Sequence, residues 1–230
     1  MAVLQHDRGT AARTDDLRTI GEVANTYLSH RSPQIMLGGL CFIALARVFV
    51  GGGYGLADLV VVIATVVLVG LVEWVLHLYL LHAPEDSNRM QKFGTGSGHR
   101  EHHLDPTNVG WALLGGIDAF VFLFLIAGWT AVWSLPIAWV LGGGLLGPFL
   151  TALTAAYVSL AHYEWTHLLV HTRYRPKSRY YKRLAANHRL HHYRNEHYWL
   201  GVTSNLGDRI MRTYPDNKSD VPLSDTARSL

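Results

Sequence analysis

Ten histidines stand at spacings that suit metal ligation. His77 and His82 delimit HLYLLH, His99, His102 and His103 form HREHH, His167 and His171 delimit HLLVH, and His188, His191 and His192 form HRLHH. On an α-helix, residues three and four apart share a face, so each HxxHH can aim three imidazoles at one point and the His167/His171 pair can aim two. Imidazole suits zinc, iron, copper and nickel. Ten rings are too many for one ion and reasonable for two ions with about five ligands each. The spacing therefore predicts a dinuclear metal site. A single histidine on an apolar face is more often a hydrogen-bonded packing residue, and His162 and His197, which fit neither spacing, are read that way. Four clusters weigh differently: twelve of the fourteen histidines lie between His77 and His197, and a solvated surface gives no reason for HxxHH to occur twice.

The elements that must carry these residues are helical and mostly apolar. A chain of 230 residues, 49% of them apolar, fits one domain over 1–230. Mean hydropathy is only +0.12, yet charge is concentrated outside four apolar runs, at about 34–54, 56–81, 111–133 and 136–160. At 1.5 Å per residue each can span a bilayer core. The expected fold is all-α: a polytopic membrane protein with four transmembrane helices, a polar N-terminal segment at 1–33, and a cytoplasmic helical cap and tail at 161–230, with the histidine-rich di-metal site on the cap side. Ala83-Pro84 should end the second run, followed by a polar loop containing Gly94, Gly96 and Gly98, and Ser134-Leu135 should form the turn between the third and fourth. His77 and His82 are five apart, about 140° around a regular helix, so bringing them together requires a bend or unwinding. Asp118 in the third run calls for an interhelical hydrogen bond, and Gly142, Gly143, Gly144 and Gly147 permit close helix approach.

Charge gives the sidedness. Of 20 Lys and Arg, Arg47 alone lies inside an apolar run; the other nineteen lie in the N-terminal segment, the 82–110 loop or the C-terminal portion. The positive-inside rule then places both termini and all ten histidines in the cytoplasm, the membrane being the plasma membrane in a bacterium or the endoplasmic reticulum in a eukaryote. Residues 1–33 lack the basic-then-apolar order of a cleaved signal peptide. The net charge of +3 and pI near 9.0 point to membrane headgroups rather than nucleic acid, because the basic residues flank apolar segments. The lone cysteine, Cys41, excludes an internal disulfide and a cysteine-rich zinc motif.

Two carboxylates sit close to ligand candidates in sequence. Glu73 lies four residues before His77 and Glu164 three before His167, so each can reach along its helix to the outer nitrogen of an imidazole. Glu164 as a ligand in its own right stays open. A ferritin-type, carboxylate-rich site is a poor fit.

From Glu73-Trp74 and HLYLLH through HREHH, YEWTH with LLVH, HRLHHYRN and GVTSNLGD, the chain resembles the fatty acid hydroxylase superfamily, integral-membrane di-metal oxygenases rich in histidine. The similarity covers roughly Glu73 to Thr213, and order and spacing are most similar to the fatty acid 2-hydroxylase branch. The resemblance implies ten metal ligands, His77, His82, His99, His102, His103, His167, His171, His188, His191 and His192, and the family's four-span topology. It implies a lipid substrate from the bilayer, fatty acyl or acyl-sphingolipid chains first; the expected cofactors are two iron ions, with zinc possible on isolation because it lies above ferrous iron in affinity for such ligands. Asn205 and Asp208 match a GVTS-to-Asp signature, as positioning groups rather than ligands, and with Glu73 and Glu164 they complete the candidate catalytic-site residues. No haem domain of the cytochrome b type is fused to these motifs, so electrons are expected from a separate cytochrome b-type or ferredoxin/reductase protein. Leu104-Asp105-Pro106 falls where family members vary.

An alkyl C–H bond cannot be deprotonated at neutral pH, so its oxidation demands O2 and two electrons, chemistry that paired iron supplies. Removing one hydrogen and transferring oxygen gives an alcohol, and removing a second hydrogen gives a double bond. Lipid hydroxylation, sterol or lipid desaturation and carotenoid hydroxylation thus share one kind of site. A metal transport or storage protein would need polar groups near the bilayer midplane, and a zinc-dependent membrane hydrolase would need fewer ligands and a water-activating base. The expected activity is O2-dependent lipid hydroxylation.

Overall fold

The computed structural model describes residues 13–50, 52–82, 97–142 and 144–224. Among them the chain is helical without strands: α1 (Ile20–Ser29), α2 (Arg31–Phe49), α3 (Leu56–Leu76) continued by a π-helical turn (His77–Leu81), α4 (Ser97–Leu104), α5 (Val109–Ala112), α6 (Gly116–Val140), α7 (Leu146–His171), α8 (Arg179–Tyr193) and α9 (Leu206–Ile210). Ala83-Pro84, Gly94, Gly96 and Gly143 lie outside the described residues. Local signals start several helices. A capping box opens α1, where the Glu22 carboxylate accepts from the Thr19 N–H and the Thr19 hydroxyl accepts from the Glu22 N–H; Asn108 caps α5 and Ser178 caps α8.

The chain divides into two compact units, each discontinuous: Met1–Tyr27, Gly70–Leu114 and Trp165–Leu230 make the first, Leu28–Val69 and Gly115–Glu164 the second. In the second, α2 packs against α6, and Leu123, Leu153 and Tyr157 form a core with Ile35 and Ile43 around it. The Tyr157 hydroxyl donates to the Leu123 carbonyl at 2.9 Å. Its outward side chains are apolar as well: Phe42, Phe49, Phe124 and Trp139 are 71–81% exposed, which suits lipid and not water. Three segments are long and apolar enough to cross a membrane, Arg31–Phe49, Leu56–Leu81 and Val109–Val140. Helix α7 is 26 residues long, but Thr151, Thr154, Ser159 and His162 dilute its apolar sequence and it falls outside that set.

The turn expected at Ser134-Leu135 is not there. Helix α6 runs through both residues and through Pro136, whose fixed φ is compatible with a helix although the ring removes one intrahelical hydrogen bond and crowds the preceding turn. The reversal follows at Gly142 (φ 67°) and Gly144 (φ 69°), where positive φ favours glycine. These two glycines therefore make the turn, in place of the close helix contact expected of them. Asp118 likewise differs from expectation. It lies half-buried in the first turn of α6, with no hydrogen bond among the described residues, where the helix N-terminus favours a carboxylate.

Arg47 has a structural role that the sequence did not disclose. Buried, its guanidinium meets Asp58 Oδ1 at 3.0 Å and donates through Nε to Thr151 Oγ1 at 2.7 Å, while the Thr151 hydroxyl donates to Asp58 at 2.6 Å. Asp58 also accepts from the Gly55 N–H at 2.9 Å, and the guanidinium stacks 4.1 Å from the Tyr54 ring. The network joins α2, α3 and α7 of this unit. Breaking a buried pair from one side strands a charge, so Arg47→Met should lower stability by roughly 3 kcal/mol, and adding Asp58→Asn should recover part of the loss. Thermal unfolding in detergent checks this. A single variant that melts like the wild type would remove the pair from the account of stability.

Candidate metal centre

All ten candidate ligands lie in the first unit, and their nitrogens gather into two groups of five: His77, His82, His99, His103 and His191 in one, His102, His167, His171, His188 and His192 in the other. Within each group the five nitrogens lie within 4.8 Å of one another. In the first, His99 Nε2 is 3.1 Å from His77 Nε2 and 3.0 Å from His82 Nε2, and His191 Nε2 is 3.2 Å from those of His82 and His103. In the second, His171 Nε2 is 2.9 Å from His102 Nε2 and 2.8 Å from His188 Nε2, with His192 Nε2 3.1 Å from His188 Nε2. Nitrogens at right angles around an ion about 2.1 Å away are themselves about 3.0 Å apart. Each group therefore has the dimensions of a shell around one ion and could hold one. The groups adjoin, with the His103 and His192 rings stacked 4.0 Å apart.

Each HxxHH was expected to serve a single point, and neither does. At 100° per residue, His99 and His103 lie 40° apart on α4, whereas His102 lies 60° to the other side of His99. The i/i+4 pair therefore goes to the first group and the middle histidine to the second. Helix α8 does the reverse, giving His188 and His192 to the second group and His191 to the first. The unwinding expected between His77 and His82 is the π turn. The His82 N–H donates to the His77 carbonyl at 3.0 Å, the wider turn returns the fifth residue to the same side, and the two rings stack 5.1 Å apart. His162 and His197 join neither group; His197 lies at the surface 3.9 Å from Glu196.

Electrostatics favours neutral rings. Burial holds the imidazoles of His99, His102, His103, His171, His188, His191 and His192 well below the ordinary histidine value, and neighbouring imidazoles push them down further. A neutral ring with its proton on the outer nitrogen presents a lone pair inward. Three outer nitrogens are held in this way: Nδ1 of His77 donates to the Leu200 carbonyl at 2.5 Å, Nδ1 of His167 to Ala112 at 2.8 Å, and Nδ1 of His191 to Tyr198 at 3.0 Å. Lone pairs crowded to about 3 Å repel, and a cation between them removes the repulsion.

A family described as fatty acid hydroxylase matches residues 62–213, about two-thirds of the chain, including all ten histidines, Glu73, Glu164, Asn205 and Asp208. The chain belongs to the fatty acid hydroxylase family. No curated protein and no solved structure matches it.

Within this fatty acid hydroxylase chain, the carboxylates do something other than what their spacing suggested. The outer nitrogens of His77 and His167 go to backbone carbonyls, not along the helix to Glu73 and Glu164. Glu164 instead accepts from the Ser32 hydroxyl at 2.5 Å. Glu73 accepts from the N–H groups of Val202 and Thr203 and, at 2.6 Å, from the Thr203 hydroxyl. Asp208 accepts from the N–H groups of Leu200 and Gly201 at 2.9 and 2.8 Å and from the Thr213 hydroxyl at 2.6 Å; burial still lifts its carboxyl above the ordinary value. The two acids thus grip the turn whose Tyr198 and Leu200 carbonyls hold His191 and His77. Between those carbonyls Trp199 adopts φ 52°, strained for a bulky residue, with its N–H donating to Thr213 at 3.0 Å. Gly207 lets α9 approach α3, since a Cβ there would collide with Trp74 and with the Gly70 carbonyl at 2.8 Å. Asn205 accepts from Asn187, the neighbour of His188, at 3.3 Å. At the exit of α4, in the variable Leu104-Asp105-Pro106 stretch, Asp105 pairs with Arg13 at 3.3 Å on the surface. Sequence reasoning missed the carbonyls of Ala112, Tyr198 and Leu200, because a carbonyl leaves no mark in a sequence.

Two outcomes follow from this arrangement. Glu73→Gln should weaken metal retention at the first group by roughly 10- to 100-fold and leave the second intact, so a chelator challenge followed by elemental analysis should strip one ion per chain first; loss of both together would contradict the loop's selective role. In the metal-stripped protein the folded imidazoles titrate below the unfolded value of about 6.5, so the unfolded chain binds more protons and stability present above pH 6.5 is lost as pH falls. Melting temperatures of the stripped protein between pH 7.5 and 5 should fall accordingly, and a flat profile would contradict the buried neutral rings.

Proposed function

We propose that the chain is a membrane-bound di-iron oxygenase that hydroxylates an aliphatic C–H bond of a lipid. The observation that carries this reading is the pair of adjoining five-nitrogen groups in a fatty acid hydroxylase family chain. His77, His82, His99, His103 and His191 would hold one ion, and His102, His167, His171, His188 and His192 the other. Two iron ions bound there would supply activation of O2 with two electrons, the chemistry that an unactivated C–H bond demands. The protein's own groups keep the rings neutral, fix their inward nitrogens through Tyr198, Leu200 and Ala112, and exclude water: His77, His102 and His191 are at most 1% exposed.

Fatty acyl or acyl-sphingolipid chains are the proposed substrates, on the similarity of YEWTH, HRLHHYRN and GVTSNLGD to the fatty acid 2-hydroxylase branch; desaturation of a sterol or lipid and carotenoid hydroxylation use the same kind of site. Electrons come from a separate cytochrome b-type or ferredoxin/reductase protein. The proposed topology has four spans, α7 providing the fourth, with both termini and the histidines on the cytoplasmic side, as the nineteen basic residues outside the apolar runs favour. Imidazole alone does not choose iron, and zinc lies above ferrous iron in affinity for such ligands, so the isolated protein is expected to carry inactive zinc.

The test is to strip the protein and reload it with iron or zinc, supply a reductase system and long-chain lipids, and follow labelled O2. Label should enter lipid only with iron and reductant. Equal turnover of the zinc form without reductant would replace this reading with the zinc-dependent hydrolase.

A further inference from the structure

Beside the second histidine group lies a cavity of about 1100 Å³. His171, His188 and His192 form part of its wall, and no histidine of the first group does. Five cations also line it, Arg18, Arg173, Arg175, Lys182 and Arg189, all exposed, and no aspartate or glutamate is in its lining. Arg173 has an acidic neighbour in Asp15 at 3.6 Å and Arg18 has one in Glu22; Arg175 and Lys182 form no ion pair among the described residues. Helix α8 supplies both kinds of lining from one stretch, Lys182 and Arg189 along with His188 and His192. A membrane-flanking location accounts for basic residues in this part of the chain. It does not account for their gathering around one cavity, free of acids, that leads to the metal ligands.

A concave site lined by one sign of charge concentrates ligands of the opposite sign. A neutral head group gains nothing from this rim. We propose that the cavity receives the anionic head group, carboxylate or phosphate, of the lipid substrate, with Arg175 and Lys182 as charge partners and the second histidine group as the metal position facing it. This deepens the oxygenase reading and rests on it for the word substrate, but its test reads binding.

The experiment is equilibrium binding of radiolabelled palmitate to the full-length protein in uncharged detergent, with competition by hexadecyl phosphate, hexadecanol and inorganic phosphate. Palmitate and hexadecyl phosphate should bind about five- to tenfold more tightly than hexadecanol, the scale of two exposed charge contacts, and added salt should narrow the gap. The Arg175→Gln/Lys182→Gln variant should lose the preference, whereas Arg175→Lys/Lys182→Arg should keep it. Equal competition by hexadecanol, or an unchanged preference in the glutamine variant, overturns the proposal. Inorganic phosphate competing as well as hexadecyl phosphate overturns the lipid source in favour of a free-anion site. If the glutamine variant instead slows reduction by an acidic electron-transfer protein while lipid preference is unchanged, the rim belongs to that partner and the proposal fails. Anion preference without label incorporation from O2 would support the cavity and remove the oxygenase.

Discussion

Inward-facing imidazole nitrogens, crowded to about 3 Å among mostly buried rings, are the arrangement on which the rest of the first unit depends. Neutral rings at that spacing repel through their lone pairs unless a cation sits between them, and charged rings would repel more strongly and lose their hydration. The surrounding protein answers both difficulties. It buries the rings, which keeps them neutral, and it spends backbone carbonyls on the outer nitrogens of His77, His167 and His191, which turns the remaining lone pairs inward.

That requirement explains features far from the rings in sequence. Because α4 and α8 each divide their histidines between the two groups, a rotation of either helix by one residue would misdirect three rings at once. The Ser178 cap and the packing of Leu184 and Ala185 against Val170 fix α8. The turn from Tyr198 to Thr203 is held at more points than a loop ordinarily is, by Glu73, Asp208 and Thr213 together, and it tolerates a left-handed Trp199. Strain of this kind persists where neighbouring contacts over-determine the backbone. Here it places two carbonyls, one residue apart from Trp199 on either side, against ligands from α3 and α8.

Much of this was legible in the amino-acid sequence, and the limits have physical causes. The ten histidines, their division into two sets of five and the unwinding between His77 and His82 follow from side-chain type and helical angle. The same helical angle also contained the split of each HxxHH, which the looser rule that residues three and four apart share a face concealed. Glu73 was misdirected because backbone N–H groups distant in sequence and close in space, which carry no residue identity, take its carboxylate, and Glu164 because folding brings the Ser32 hydroxyl to it from far along the chain. The turn between α6 and α7 was misplaced because Ser134-Leu135 reads as the gap between two apolar runs, while the glycines that can adopt positive φ were assigned to packing. Arg47 reads as a lone charge until Asp58 and Thr151 are brought to it by folding.

The central claim is that two adjoining shells made of imidazole nitrogen each hold one ion. X-ray absorption at the iron edge, on protein reloaded with iron and quantified for metal per chain, tests it most directly. The account predicts two irons per chain, each with about five nitrogen or oxygen neighbours near 2.1 Å and the outer-shell pattern of imidazole. A single iron per chain, or a shell dominated by carboxylate oxygen, would contradict it.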